Sequence, residues 1–380
     1  METLYLFAFY FFIGFTFINC GYYCYLARFC FGYNRQTQKG NASLPPISVL
    51  VCAKNEAENL KKNIPGLLQQ DYPDFEIILI NDASNDGSLN VMNAFSKASP
   101  KIKIVDFIPN NSGNKYGKTA KKSKKNALTK GIESAKYNHL LLLDADCYPK
   151  SEQWIKIMAS GFSAEKSIVL GYGAYEKISG SWLNRIIRFE TLLTALQYFG
   201  YAKNKNPYMG VGRNLGYTKQ LFEQQSGFMG HLHIAAGDDD LFINRAATST
   251  NTAIVYRKQG HTVSEPKKTW KAWFLQKRRH TGVAHFYKPK HKVQLGLFYG
   301  SQFVFLSLYI PFFFLTHFSL IILITVFIRY LIVWTVIAFG AKKLSEKNLI
   351  YYFPLVELFL IPLQLGIFIS NLISRPKHWN

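Results

Sequence analysis

The run Leu140-Leu141-Leu142-Leu143-Asp144-Ala145-Asp146 sets two carboxylates one residue apart directly behind an apolar tetrad. Carboxylates so placed put hard oxygen ligands on one side of a divalent cation. Mg2+ or Mn2+ held by few protein oxygens completes its shell with substrate phosphates, where it would neutralise a diphosphate leaving group. Two further acidic clusters stand behind apolar runs: Ala53-Lys54-Asn55-Glu56 after Ile47–Cys52, and Asn81-Asp82-Ala83-Ser84-Asn85-Asp86-Gly87 after Phe75–Ile80. Each alone reads equally well as a helix cap. Caps need not recur on every strand, so the three together predict one crevice lined with carboxylates.

Bringing the clusters together requires a particular scaffold. Ile47–Cys52, Phe75–Ile80, Ile102–Val105 and Leu140–Leu143 read as buried strands, and helical patterns cover Ala57–Gln70, Leu89–Ser99 and Lys124–Ser134. Strand–helix alternation with continuously apolar strands predicts an α/β domain with a mostly parallel, Rossmann-like sheet covered on both faces. Ligands of such sheets bind beyond the carboxyl ends of the strands, where the acids collect here.

The rest of the chain is of a different kind. Leu4–Leu26 is free of charge and is followed by Arg28, Arg35 and Lys39. It is long enough to cross a bilayer, and charges placed after the apolar run fit an uncleaved anchor rather than a signal peptide. Gln294–Leu315, Phe318–Gly340 and Leu349–Ile373 are three more such runs, with Thr316-His317 between the first two and a basic loop, Lys342–Lys347, between the next. Both the first anchor and this loop place the middle domain in the cytoplasm by the positive-inside rule, although the tail Arg375–His378 then falls outside. Arg329 and Glu357 are costly inside such runs unless they face protein, water or a polar ligand. The expected division is an N-terminal anchor, residues 1–32, a catalytic domain, residues 33–293, and C-terminal membrane helices, residues 294–380. A mean hydropathy of −0.01 thus averages two unlike parts, and 31 Phe with 23 Tyr exclude a disordered chain. Five Cys without a Cys-x-x-Cys pair exclude a disulfide framework and a zinc site built on Cys.

The ordered series ISVLVCAKNE, ILINDASNDGS, KKNALTKGI, LLLLDADC, GRNLGY, GDDDLFINRA and QKRRH resembles the membrane-bound, inverting family 2 glycosyltransferases of GT-A type, in their cellulose- and hyaluronan-synthase-like branch. The resemblance covers roughly Pro45 to His285. It implies a nucleotide-sugar donor, a Mg2+ or Mn2+ cofactor and a lipid, lipid-linked or glycan acceptor. Ala53, Glu56 and Asp82 match positions that hold the nucleoside. Lys124 and Asp144 match donor-site positions, and Asp146 matches the metal ligand. Gly212 and Asn214 match a loop at the acceptor end. Asp239, with Asp238 as the alternative, matches the general base, while Gln276 and Arg279 match residues that hold the acceptor terminus or the diphosphate. Inverting transfer needs such an inventory: one carboxylate to take the acceptor's proton, and cationic groups for the leaving diphosphate. His280 departs from the pattern by standing at the family's Trp position. Together with only three C-terminal spans, it argues for single transfer over processive polymerisation.

Several features carry less. Cys147 abuts Asp146 and reads as a small core residue. His231 and His233 lack a third ligand at matching spacing for zinc. The Asn110-Asn111-Ser112 sequon has no role on a cytoplasmic domain. The stretch from Trp182 to Tyr201 reads equally as an interfacial amphipathic helix or as one packed on the sheet domain, whereas Trp270–Phe286 reads as interfacial. Lys115–Lys125 is a solvated loop or a mobile lid over the donor. The formal charge of +22 is concentrated: Glu2 balances Arg28 before Tyr33, and six Lys/Arg face two Asp/Glu from Gln294 onward, leaving +18 in the middle domain. Nucleic acid is an unsuitable partner, since acids in the crevice repel phosphate without a cation. Membrane lipids suit such a charge better.

Overall fold

A computed structural model describes residues 2–32, 44–108, 124–234, 236–315 and 319–374. Residues 115–123 of the basic loop, the sequon, Arg35, Lys39, Thr316-His317 and the tail from Arg375 lie outside the described residues. The helices are α1 (Glu2–Phe31), α2 (Ala57–Leu68), α3 (Ser88–Ala98), α4 (Lys124–Ser134), α5 (Trp154–Ala159), α6 (Trp182–Lys203), α7 (Lys219–Gln224), α8 (Asp240–Ala246), α9 (Trp270–Val283), α10 (Pro289–Leu315), α11 (Ser319–Lys343) and α12 (Phe353–Ile373). Among the described residues the chain divides into two compact units. One gathers those within Met1–Asn34, Gly180–Asn204 and Lys268–Arg375, and the other those within Arg35–Ser179 and Lys205–Lys267.

The second unit is built on β1 (Ile47–Ala53), β2 (Phe75–Asp82), β3 (Ile102–Phe107), β4 (His139–Asp144), β5 (Cys147–Pro149), β6 (Ile168–Leu170), β7 (Gly173–Tyr175), β8 (Leu215–Thr218), β9 (Thr252–Ile254) and β10 (Thr262–Ser264). Its main sheet runs β3-β2-β1-β4-β8-β6-β9, and β5-β10-β7 form a small second sheet. β3, β2, β1 and β4 are mutually parallel, as expected, while β8 runs antiparallel to both β4 and β6. Both faces of the parallel strands are covered. Val49, Val51, Ile77, Leu79, Leu141 and Leu143 pack with Leu60 and Ile64 of α2, Met92 of α3 and Trp154 of α5. On the opposite face Gly131 of α4 lies so close to Ile80 and Leu50 that an added Cβ would come within 2.1 Å of Ile80 Cδ1. Burial on both faces explains why β1, β2 and β4 read as apolar runs, whereas β3, expected to be buried, is the sheet's edge and exposes Lys103 and Asp106.

The other unit is helical. Among the described residues four helical segments are long and apolar enough to cross a membrane: Leu6–Phe31, Pro289–Phe312, Leu320–Lys343 and Lys347–Ile373. α6 belongs to this unit and packs on α1, with Phe199 stacked on Phe29 and Tyr201 edge-on to Tyr25. It also carries the buried Arg188–Glu346 ion pair. Arg329 is fully buried and grips Glu357 with two hydrogen bonds, of 2.7 and 2.5 Å, while its Nε donates to Asn19 at 3.1 Å. Asn19 in turn donates to Ser301 at 3.1 Å, so one polar chain touches α1, α10, α11 and α12. The two charges face protein, the condition under which they are tolerated in apolar spans.

Candidate active site

The parallel register brings the carboxyl ends of the central strands level: Ala53 pairs with Asn81, and Cys52 with Asp144. The turns behind β1 and β2 are stitched together. Asn55 (φ 57°) and Ala83 (φ 50°) both take the left-handed conformation that non-glycine residues seldom adopt. The reversals let Asn55 N–H donate to Ser84 Oγ at 3.0 Å, Asn55 Oδ1 accept from Asn85 N–H at 2.8 Å, and Glu56 N–H donate to Ser88 Oγ at 2.8 Å. Asp86 accepts from the N–H groups of Ala57 (3.2 Å) and Ser88 (2.9 Å). It therefore caps, whereas Asp82 is buried at the end of β2. Burial raises the Glu56 carboxyl above its ordinary value, and the charges of Asp146 and Asp144 add to the effect.

Lys124 is the link among the acids. Its Nζ lies 2.8 Å from Asp144 Oδ1 and 2.9 Å from Asp238 Oδ2. Burial works against the ammonium, but the two carboxylates outweigh it and hold it well above the usual lysine range. Lys125, the next residue, is fully buried and donates to the carbonyls of His231 (2.8 Å) and Ile234 (3.0 Å). Burial lowers it to about 8, against the pull of the acids Asp238, Asp240 and Asp239. It braces the segment entering Gly237, whose φ of 90° suits glycine alone. Sequence reasoning selected Lys124 and passed over Lys125, although the twin lysines opening α4 were the available signal.

Asp239 caps α8. Its Oδ1 accepts from Asp240 N–H and its Oδ2 from Gly212 N–H, both at 2.7 Å. Burial first, and then the neighbouring Asp238, raise its carboxyl to about 6. The approach is close, since a Cβ on Gly212 would sit 3.3 Å from Asp239 Oδ2. Asn214, expected at the acceptor end, is fully buried. Its amide donates to Tyr172 O (2.9 Å) and Gly260 O (2.8 Å) and accepts from Trp154 Nε1 (3.0 Å). Every polar atom of that amide is thus engaged in holding the loop.

Asp144, Asp146 and Cys147 are the one group of His, Cys, Asp or Glu among the described residues that could hold a metal ion, with ligand atoms within 4.8 Å of one another. Two carboxylates are a fitting donor set for a hard divalent cation. Burial, and next the charge of Asp144, raise the Asp146 carboxyl above its usual value, and a cation there would oppose that shift. Cys147 is buried in the core as expected, and its Sγ also lies 3.1 Å from Asp146 Oδ1 and 2.8 Å from Ser264 Oγ. His231 is buried and His233 exposed. Burial, with Lys125 second, takes His231 down to about 4. Gln276 and Arg279 lie on α9, in the helical unit.

Comparison with known proteins agrees with this geometry. Residues 48–226 match the model of glycosyl transferase family 2. The probable glycosyltransferase YdaM of Bacillus subtilis is 26% identical over 270 residues, spanning 67% of this chain and 61% of the relative. The poly-beta-1,6-N-acetyl-D-glucosamine synthase of Staphylococcus epidermidis is 30% identical over 125 residues, 33% of this chain and 27% of that protein. The chain thus spans less than two thirds of either relative. Among solved structures, the mannosyltransferase PcManGT of Pyrobaculum calidifontis, in complex with GDP-Man and Mn2+, superposes with a TM-score of 0.57 at 16% identity, covering 90% of this chain and 97% of its own. The fold is that of GT-A transferases. Residues 48–226 thus carry the likeness to glycosyl transferase family 2.

Proposed function

We propose that the chain is a membrane-held inverting glycosyltransferase. It moves a sugar from a nucleotide-sugar donor of the UDP class to a lipid, lipid-linked or glycan acceptor at the cytoplasmic face. The observation that carries the reading is the pairing of Lys124 with both Asp144 and Asp238, beside Asp239. One cation ties the strand end suited to a donor to the loop that carries a base. Ala53, Glu56 and Asp82 would hold the nucleoside, and the PcManGT complex with a nucleotide sugar and Mn2+ supports a similar ligand on this fold. Asp146, with Asp144 beside it, would hold Mg2+ or Mn2+, which when bound supplies positive charge to the departing diphosphate.

The acceptor hydroxyl attacks the anomeric carbon from the face opposite the diphosphate. The new C–O bond forms as the bond to the diphosphate oxygen breaks, and the hydroxyl proton passes to a carboxylate. Asp239 is the better base. Asp238 is held against Lys124, while Asp239 accepts only backbone N–H groups, and a value near 6 strengthens its grip on a proton while leaving it mostly ionised at neutral pH. Gly212 and Asn214 shape the acceptor end, the latter by bracing it. On the resemblance, Arg279 serves the diphosphate and Gln276 the acceptor. The middle domain's charge of +18 suits an anionic leaflet, at about 1 kcal/mol per nearby Lys or Arg. Asp239→Asn tests the assignment. Transfer by the detergent-purified chain should fall by at least about 100-fold, as expected for loss of a general base, while nucleotide binding persists; undiminished transfer would refute the role.

A further inference from the structure

Asp146 lies at one end of a hydrogen-bond chain that begins on Arg213. Arg213 Nη1 donates to Ser264 Oγ at 3.0 Å, Ser264 Oγ lies 2.8 Å from Cys147 Sγ, and Cys147 Sγ lies 3.1 Å from Asp146 Oδ1. The chemistry of the two ends fixes its direction. A guanidinium can only donate and an ionised carboxylate can only accept. The hydroxyl and the thiol, with one hydrogen each, therefore both point toward Asp146. Ser264 and Cys147 are register partners across β10 and β5 and are each 1% exposed, so water has no access to either link.

The source of the chain is itself fixed. Arg213 donates to Ala174 O (3.2 Å) and Gly173 O (2.9 Å) and lies over the Tyr175 ring, 4.2 Å from its centroid. Gly173 makes room for it, since a Cβ there would approach Arg213 Cβ to 3.2 Å. All three strands of the small sheet thus contribute to one line of donors ending on one carboxylate oxygen.

We infer that Arg213, Ser264 and Cys147 are positioning residues that hold Asp146 for its cation, with the Cys147 thiol donating to Asp146 Oδ1 rather than binding the metal itself. The inference rests on the reading of Asp146 as the metal ligand. Outer partners that orient a ligating carboxylate typically contribute about 10- to 100-fold in metal affinity. The competing role, Cys147 as a thiolate ligand, makes the opposite prediction for soft metals, which favour sulfur.

The test is titration of Mn2+ by electron paramagnetic resonance, and of Cd2+ by calorimetry, into the detergent-purified full chain with UDP present. Cys147→Ser, which keeps a donor and an acceptor, should leave Mn2+ affinity near that of the unaltered chain and Cd2+ affinity little changed. Cys147→Ala and Ser264→Ala should each weaken Mn2+ by about 10- to 100-fold, with the thermal midpoint and metal-free UDP binding retained. Should Cys147→Ala not fold, Ser264→Ala and Arg213→Lys carry the same expectation. Undiminished Mn2+ affinity in the Ala variants overturns the relay. A collapse of Cd2+ affinity in Cys147→Ser overturns it in favour of direct ligation. No Mn2+ binding by the unaltered chain overturns the metal reading of Asp146 itself, and the relay with it.

Discussion

Asp239 is half-buried beside Asp238 yet accepts two backbone N–H groups, and the balance leaves its carboxyl at about 6. As a base it works only when ionised, so kcat/KM should rise with pH up to about 6 and level off above; a profile flat from pH 5 to 8 would contradict the assignment. The same shift has a stability consequence of definite sign. Between its ordinary value of 3.8 and about 6 the folded chain binds more proton than the unfolded one. Stability therefore falls as pH rises through that window. The proposed base would thus weaken the fold at working pH.

At the scale of elements, the site depends on how tightly the segment entering β8 is packed. Gly171 leaves room for the Asn214 side chain: an added Cβ would lie 2.4 Å from Asn214 Cγ, which three hydrogen bonds hold in place. Gly171→Ala should lower the thermal midpoint of the purified chain, in line with about 1–3 kcal/mol of overpacking, and reduce transfer through the displaced Gly212–Asp239 contact; an unchanged midpoint would show that the loop yields freely. β1, β2 and β4 were legible because their runs are mostly apolar, and α2, α3 and α4 because their apolar residues recur at helical spacing. The three-residue strands β5, β7 and β10 were not. Pieces so short carry no period of their own, and they pair residues as distant as Cys147 and Ser264. For the same reason Arg213, inside a motif noticed for its neighbours, went unread: its partners come from β7 and β10. Asn214 was legible as important, but its amide is spent on packing, which spacing does not reveal.

For the whole molecule, two units of opposite character explain a mean hydropathy near zero. The apolar helices are joined through the buried Arg329–Glu357 pair. Removing one partner strands a buried charge, at a cost of about 3–5 kcal/mol, whereas replacing both with apolar groups is often nearly neutral. Arg329→Met alone should therefore lower the thermal midpoint in detergent, and adding Glu357→Leu should recover most of the loss. If the double variant fell further than the single one, the pair would have a role beyond packing. In the proposed function the acids of the sheet unit, Lys124 and Asp239 serve as one sugar-transfer site. Its most direct test is incubation of the detergent-purified full chain with a panel of UDP- and GDP-sugars and Mn2+ or Mg2+, following nucleoside diphosphate release. The account predicts cation-dependent release from at least one donor, abolished by Asp239→Asn. Release from none of the panel, with no binding of UDP or GDP, would contradict it.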